Sequence, residues 1–132
     1  MKYVTIVVPK GQVNLSSITG SFEILNRAND HWQKMGNKPM FEVHIASFEE
    51  ELKLDASFFS IHPIHIKDLK KTDLLIIPSL AHDYDNILKD NKELIDWIRE
   101  QYKSGAEIAS ICTGAFLVAA TGLLEGKRCS TH

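Results

Sequence analysis

The chain has 132 residues, enough for one domain with a hydrophobic core, and its 44% hydrophobic and 24% charged residues are ordinary for a globular protein. A formal net charge of −2 argues against a nucleic-acid-binding surface on this chain, and no apolar run is long enough to cross a bilayer. The two cysteines, Cys112 and Cys129, form neither a CxxC pair nor a zinc-binding spacing. We therefore expect a reduced, cytoplasmic protein without a metal or cofactor.

The first third of the chain predicts a strand, a helix and a second strand. Residues 3–8 (YVTIVV) are nearly all apolar and β-branched, which is typical of a buried parallel strand. From residue 16 the pattern becomes helical, and Gly36 is a plausible cap at its end. Residues 41–47 alternate between apolar and polar, which indicates a strand. The apolar helical positions recur every three or four residues and are Ile18, Phe22, Leu25, Ala28, Trp32 and Met35.

The rest of the chain continues to alternate between strands and helices. Residues 49–71 predict short strands, in a hairpin or an excursion at the sheet edge, and Pro63 keeps this piece out of the centre of a sheet. Further strands are predicted at 73–78 and 107–111, and further helices at 91–103 and 114–124. Residues 127–132 begin like another strand, from which we expect the domain to continue beyond this chain. Strands alternating with helices favour an α/β fold, with a mostly parallel sheet covered by helices on both faces.

Cys112 lies where a predicted strand meets a predicted helix, with small residues two positions before and after it, Ser110 and Gly114. This is the pattern of a nucleophile elbow, a sharp turn that lifts the central side chain out of the sheet. The following helix points N–H groups at the thiol, an arrangement that favours anions. A buried core cysteine explains the same residues equally well, because short apolar strands often hold one.

Three segments carry a resemblance to a known family. The last 24 residues (ASICTGAFLVAATGLLEGKRCSTH) resemble the nucleophile-elbow region of the ThiJ/PfpI superfamily, which shares the class I glutamine amidotransferase-like fold. Residues 16–29 (SSITGSFEILNRAN) resemble the first-helix segment of the same group, and DLLIIP matches a central strand. The resemblance implies a flavodoxin-like three-layer sandwich over residues 1–132, incomplete at its C-terminus. The chain is most similar to isonitrile hydratases and to the amino-terminal sensing domains of AraC-family transcriptional regulators.

The resemblance also implies where a site would lie. Cys112 falls on the family's nucleophile position, and His132 on a histidine that often lies near it. The enzymes carry an acidic residue where this chain has Ser17, and a serine cannot supply a carboxylate's proton transfer at neutral pH. The Gly-Gly whose backbone N–H groups usually line an oxyanion site is replaced here by Ser79-Leu80. Ser17, Ser79, Leu80, Thr113 and Gly114 are therefore the expected ligand-binding residues.

These departures favour a sensing domain over an enzyme. The leading hypothesis is the ligand-sensing domain of an AraC-type regulator that binds a small-molecule effector near Cys112 and forms a homodimer. DNA would be bound only by a helix-turn-helix domain beyond this chain, and no membrane contact is expected. The alternative is a stand-alone, cysteine-dependent hydratase or amidase, which would need a substitute acid. A redox-sensing role, with oxidation of Cys112, is compatible with either.

Several other residues have simpler interpretations. His62 and His65 are three apart on an extended segment and point to opposite faces, so a shared metal is not expected. His82 could reach the Cys112 region but is more typical of an exposed loop residue. Cys129 is expected to pack in a final strand, with nothing to place it near Cys112. The aromatic residues at helical core spacings are Trp32, Trp97 and Phe116.

Overall fold

The computed structural model describes residues 1–54 and 58–131 and contains seven strands and four α-helices in those ranges. Every neighbouring pair in the main five-stranded sheet is parallel, and a separate two-stranded antiparallel hairpin follows the second strand. In chain order the elements are β1 (Lys2–Val7), α1 (Leu15–Lys34), β2 (Phe41–Ser47), β3 (Leu52–Leu54), β4 (Phe59–Ile61), β5 (Ile64–His65), β6 (Leu74–Ile77), α2 (Tyr84–Asp90), α3 (Lys92–Lys103), β7 (Glu107–Ser110) and α4 (Gly114–Ala120).

The strand order β5-β2-β1-β6-β7 fixes the layering of the domain. The β1-to-β2 and β6-to-β7 connections run to opposite sides, and such crossovers are right-handed. They therefore place α1 on one face of the sheet and α2 and α3 on the other, where α4 packs beside them. The predicted α/β fold, a mostly parallel sheet between two helical layers, is confirmed. Within the described ranges, no helix combines the length and the apolar character that a membrane span requires.

Helix α1 is fixed at its start and near its end. The Asn14 side chain caps the helix by accepting the backbone N–H of Ser16 at 3.3 Å and its hydroxyl at 2.7 Å. Asn29 is buried, and its amide oxygen accepts the N–H groups of Met40 and Phe41, both at 3.0 Å, while its NH₂ group donates to the Phe41 carbonyl at 2.7 Å. The amide thereby ties the helix to the first residues of β2.

The predicted apolar face of α1 is only partly covered by the described residues. Ile18 is fully buried, but Phe22 and Trp32 are each 37% exposed and Met35 is 62% exposed, so the prediction of Trp32 as a core residue was wrong. For Trp32 and Met35 the reason is length, because twenty helical residues span about 30 Å while the six residues of β1 span about 20 Å. The last turns of α1 therefore extend beyond the strands.

The other elements mostly match the sequence, with three differences. Helix α2 was not predicted, α4 ends at Ala120 instead of residue 124, and the described residues after 126 form no strand. Trp97 and Phe116 are only partly buried, and the ring of Phe116 contacts that of Tyr84 with centroids 5.1 Å apart. The excursion after β2 does form short strands, and Pro63 lies outside the sheet centre as predicted.

Candidate functional site

Cys112 occupies a sharp turn between β7 and α4. Its φ of +49° lies in the left-handed region, which costs a non-glycine residue about 1–2 kcal/mol. The turn is closed by hydrogen bonds from the Gly114 N–H to the Ile111 carbonyl at 2.9 Å and from the Ala115 N–H to the Cys112 carbonyl at 3.2 Å. The thiol is free and exposed. Of the two interpretations left open by the sequence, the structure shows the elbow and not a core cysteine.

Gly114 is required by the close approach of α4 to β6. A Cβ at this position would lie 2.7 Å from the Ile77 carbonyl oxygen and 2.6 Å from that of Pro78, both backbone atoms. Contacts this short do not occur for real side chains, so any larger residue would push the elbow away from the sheet. The small residue two positions after Cys112 therefore serves helix packing, and it is buried rather than available to a ligand.

The loop after β6 is joined to the loop after β1. Val13 and Leu80 form an antiparallel bridge, flanked by hydrogen bonds from the Asn14 N–H to the Ser79 carbonyl at 2.8 Å and from the Ala81 N–H to the Gln12 carbonyl at 3.0 Å. The flanking residues make the bonds, so the N–H and C=O groups of Leu80 itself point away from Val13. These groups need another partner because Leu80 is buried.

Thr113 supplies that partner. Its hydroxyl accepts the Leu80 N–H at 2.9 Å and donates to the Leu80 carbonyl at 2.8 Å. The Ser79 hydroxyl lies 3.0 Å from the Thr113 hydroxyl oxygen. Ser79 must be the donor in that hydrogen bond, because the Thr113 proton is already donated to the Leu80 carbonyl. One threonine side chain thus joins the elbow to the loop after β6.

Ser17 extends this network to α1. Its hydroxyl donates to the Asn14 carbonyl at 2.7 Å and accepts the N–H of Ser79 at 3.0 Å. We call Ser17, Ser79, Leu80 and Thr113 the hydroxyl network. It connects the start of α1, the loop after β6 and the elbow. These segments follow the carboxyl ends of β1, β6 and β7, and the strand order reverses between β1 and β6. Open α/β sheets commonly bind ligands at that point.

Six of the backbone donors around the elbow are already engaged, and the N–H groups of Cys112 and Thr113 are not among them. The N–H groups of Ser79, Leu80 and Ala81 are bonded to Ser17, Thr113 and Gln12 respectively. At the start of α4, the N–H groups of residues 114, 115 and 116 are all bonded to carbonyls of the preceding turn. An oxyanion site needs donors that are free to face the developing charge. These six donors cannot serve one without rearrangement.

A shallow groove of about 450 Å³ adjoins the hydroxyl network. It runs along the first turns of α1 and is lined by Val13, Asn14, Leu15, Ser16, Thr19 and Ala81. Asn14 is not among the predicted site residues, although an asparagine immediately before a helical periodicity is a known start signal. That Asn14 and Ala81 line the same groove could not be predicted, because this depends on the Val13–Leu80 bridge.

The structure brings together most, but not all, of the predicted site residues. Ser17, Ser79, Leu80 and Thr113 form one network, and Cys112 and Gly114 lie in the adjoining turn. His132 lies outside the described residues. Four of these residues are buried and reach a ligand only if the loops open, namely Ser79, Leu80, Thr113 and Gly114. Their ligand-binding role stays a prediction.

Backbone strain in the described chain is concentrated around the elbow. Its non-glycine residues with positive φ are Cys112, His82 and Asp83, each with φ of +49°. His82 is exposed and follows the Leu80 segment that Thr113 holds. Strained residues of this kind cluster at functional sites. Asp73, a titratable group with a clearly lowered pKa, lies just before β6, at the end of that strand away from the elbow.

Comparison with known proteins agrees with this geometry. Residues 2–132 match the family model described as the DJ-1/PfpI family. The chain is 28% identical over 121 residues to isonitrile hydratase from Pseudomonas putida, covering 92% of this chain and 48% of that protein. It therefore spans about half the length of that relative.

Solved structures give the same fold. A candidate transcriptional regulator protein from Vibrio parahaemolyticus superposes with a TM-score of 0.81 and 30% identity, covering 99% of this chain and 66% of that one. An AraC family transcriptional regulator from Pseudomonas putida gives a TM-score of 0.69 at 16% identity, covering 96% of this chain and 74% of the other. Together with the match to nearly every residue of the chain, these findings show that it belongs to the DJ-1/PfpI family.

Proposed function

We propose that this chain is the ligand-sensing domain of an AraC-type transcriptional regulator and does not itself catalyse a reaction. The observation that carries the proposal is that the hydroxyl network occupies the backbone N–H groups of Ser79 and Leu80. Ser17 stands where the related enzymes have an acid, and its hydroxyl is bonded to Asn14 and Ser79. The Leu80 N–H, a candidate oxyanion donor, is occupied by Thr113. The site thus lacks the carboxylate that would carry a proton, and the N–H groups of Ser79 and Leu80 are not free to face a developing charge.

The similarity to regulators supports the same proposal. The Vibrio parahaemolyticus protein is 30% identical, and about a third of its chain lies outside the part that this domain covers. In the proposed arrangement, a small effector binds near Cys112 and the adjoining groove, and the domain pairs with a second copy. A helix-turn-helix domain following residue 132 makes the DNA contacts. With a net charge of −2, the sensing domain itself is poorly suited to bind DNA.

The first experiment is to measure the intact mass of the natural gene product in its own cells. We expect a product more than twice the mass of this chain, which is 14.9 kDa, with a basic helical segment after residue 132. A product only modestly heavier than this chain would contradict the proposal.

The second experiment tests sensing at the elbow. The full-length product is expressed with a reporter driven by the promoter next to its gene, and the reporter is measured across a panel of small metabolites. Cys112→Trp, which fills the mouth of the elbow, should abolish the response, whereas Cys112→Ala should keep the mouth open and the protein folded. An unchanged response of the Cys112→Trp protein to every metabolite that acts on the wild type would count against this site.

A second candidate function is a cysteine-dependent hydratase or amidase. It is favoured by the exposed thiol of Cys112 at a left-handed elbow and by the similarity to isonitrile hydratase. It predicts turnover of a small isonitrile or amide by the full-length product, with complete loss in Cys112→Ser. Equal turnover by both proteins, or none by either, would exclude a nucleophilic role for this cysteine.

A further inference from the structure

The segment that contains α2 is tied at both ends to one short stretch of the loop after β1. At its start, the Ala81 N–H donates to the Gln12 carbonyl at 3.0 Å. At its end, the buried Asn91 side chain accepts the Lys10 N–H at 2.8 Å and donates to the Lys10 carbonyl at 2.7 Å. Because Lys10 and Gln12 are only two residues apart, the two ends lie close together, as in the compact loops that often carry function. We call residues 82–90 the flap.

Two side-chain contacts hold the flap against the rest of the domain. Ile87 is buried, and its Cγ1 lies 3.0 Å from the place that a Cβ on Gly11 would occupy, so it packs directly on the Gly11 backbone between the two ties. The ring of Tyr84 packs on that of Phe116, with centroids 5.1 Å apart. Phe116 lies on α4, four residues after Cys112. The flap therefore bridges the loop after β1 and the helix that follows the elbow.

The backbone is strained where the flap leaves its first tie. His82 and Asp83 are consecutive non-glycine residues with φ of +49°. Such a conformation persists only while the surrounding contacts hold it. The Asp83 carboxylate accepts the Asn86 amide at 2.8 and 3.0 Å, a contact that lies within the flap and can move with it. A change of either φ to a negative value redirects the chain into α2, so a relaxed backbone and the present position of Ile87 exclude each other.

We propose that the flap opens about His82 and Asp83 while both ties stay formed, and that effector binding favours the open form. Opening gives up the packing of Ile87 and Tyr84 and releases the strain of two left-handed residues, and these opposing terms are of similar size. The open form uncovers the Gly11 backbone and Phe116 beside the elbow. Ala81, which precedes the flap, also lines the groove, so a molecule in the groove touches the hinge. The link to the effector rests on the proposed function, whereas the opening itself does not.

The first measurement follows the opening with no effector present. In a full-length protein whose native cysteines are replaced by serine, Ile87→Cys places a thiol under the flap. Val8→Cys places one at a fully buried position beside β1, which only global unfolding exposes. A thiol reagent should label the Ile87→Cys protein at least about 100-fold faster than the Val8→Cys protein, because local opening needs much less free energy than unfolding.

The second measurement tests the hinge with a matched pair. His82→Gly and His82→Ala both remove the imidazole, but only glycine adopts the observed φ without steric cost. The greater freedom of glycine in the open form offsets part of this gain. Labelling of Ile87→Cys should therefore be about fivefold slower with His82→Gly than with His82→Ala. With the native cysteines and Ile87 restored, the metabolite concentration for half of the reporter response should rise by the same factor, since the competent form is rarer.

Three results would overturn parts of this proposal. Equal labelling of Ile87→Cys and Val8→Cys would mean that the flap opens only when the domain unfolds. Equal labelling with His82→Gly and His82→Ala would mean that the strain is not released on opening. Slower labelling without a change in the half-response concentration would break the link to the effector. A wild-type reporter that responds to no metabolite would contradict the proposed function instead, and the labelling rates would still decide whether the flap opens.

Discussion

Replacing Thr113 by valine tests whether the hydroxyl network holds the site together. Valine has nearly the same shape, so the change removes the hydroxyl without leaving a cavity. The Leu80 N–H and C=O lose their partner at 2.9 and 2.8 Å, and they are buried because Leu80 is only 3% exposed. The Val13–Leu80 bridge cannot replace the lost bonds, since its hydrogen bonds come from the flanking residues.

The expected loss of stability is large for a single hydroxyl. Each buried polar group left without a partner costs about 1–3 kcal/mol, so the two groups of Leu80 together give about 2–6 kcal/mol. A domain of this size is stable by only about 5–15 kcal/mol. With a urea dependence of about 2 kcal/mol per molar, the unfolding midpoint should fall by about 1–3 M.

The assay is equilibrium urea unfolding followed by tryptophan fluorescence, with Thr113→Ser as the matched control. Serine keeps the hydroxyl and loses one methyl group, so it should cost about 1 kcal/mol. Equal stability of Thr113→Val and Thr113→Ser would contradict this prediction. That holds whether or not the Leu80 N–H becomes free in the valine protein.

Two further perturbations test other contacts. Gly114→Ala should destabilise the domain by more than about 3 kcal/mol or prevent its folding, because its Cβ would lie 2.6 and 2.7 Å from two backbone carbonyl oxygens; a wild-type urea midpoint would show that α4 can shift freely. Asp73 has its pKa lowered from 3.8 by a hydrogen bond from the Tyr3 N–H and by the Lys71 ammonium. It therefore contributes stability above its unfolded pKa that is lost as the pH falls through the lower folded pKa. Asp73→Asn should be less stable than wild type at pH 7, and the two midpoints should converge on acidification; a gap that does not narrow as the pH falls would point to a different cause.

The sequence could predict the order of the elements because the signals are local. The run at residues 3–8 and the alternation at 41–47 are typical of strands, and both form strands in the sheet. The turn at Cys112 was also visible, since small residues flank the cysteine on both sides. Helix α2 was missed because it has only seven residues and follows two left-handed positions, His82 and Asp83. A hydrophobic periodicity does not indicate such positions.

The contacts within the site could not be predicted, because they join residues that are distant in the chain. Thr113 is 33 residues from Leu80, and Ser17 is 62 residues from Ser79. A hydroxyl residue in a loop gives no sign of which backbone group it will meet.

The proposed function rests on two separate obstacles to catalysis, a serine at position 17 where the resemblance implies an acid and a Leu80 N–H that is already bonded, and one variant separates them. Ser17→Glu introduces the carboxylate, with Ser17→Gln as the uncharged control. The carboxylate can accept the Ser79 N–H but cannot donate to the Asn14 carbonyl as the serine does, so the helix start loses a bond of 2.7 Å. The Leu80 N–H stays bonded to Thr113 in either variant.

We therefore expect Ser17→Glu to show no cysteine-dependent turnover of a small isonitrile or amide. If closure of the donors is the main obstacle, an acid alone cannot stabilise the developing charge. The contrary result would be turnover that appears in Ser17→Glu, is absent in Ser17→Gln, and disappears again when Cys112→Ser is added. That pattern would mean that the donors open when an acid is present and that the hydroxyl network is a resting state of a catalytic site.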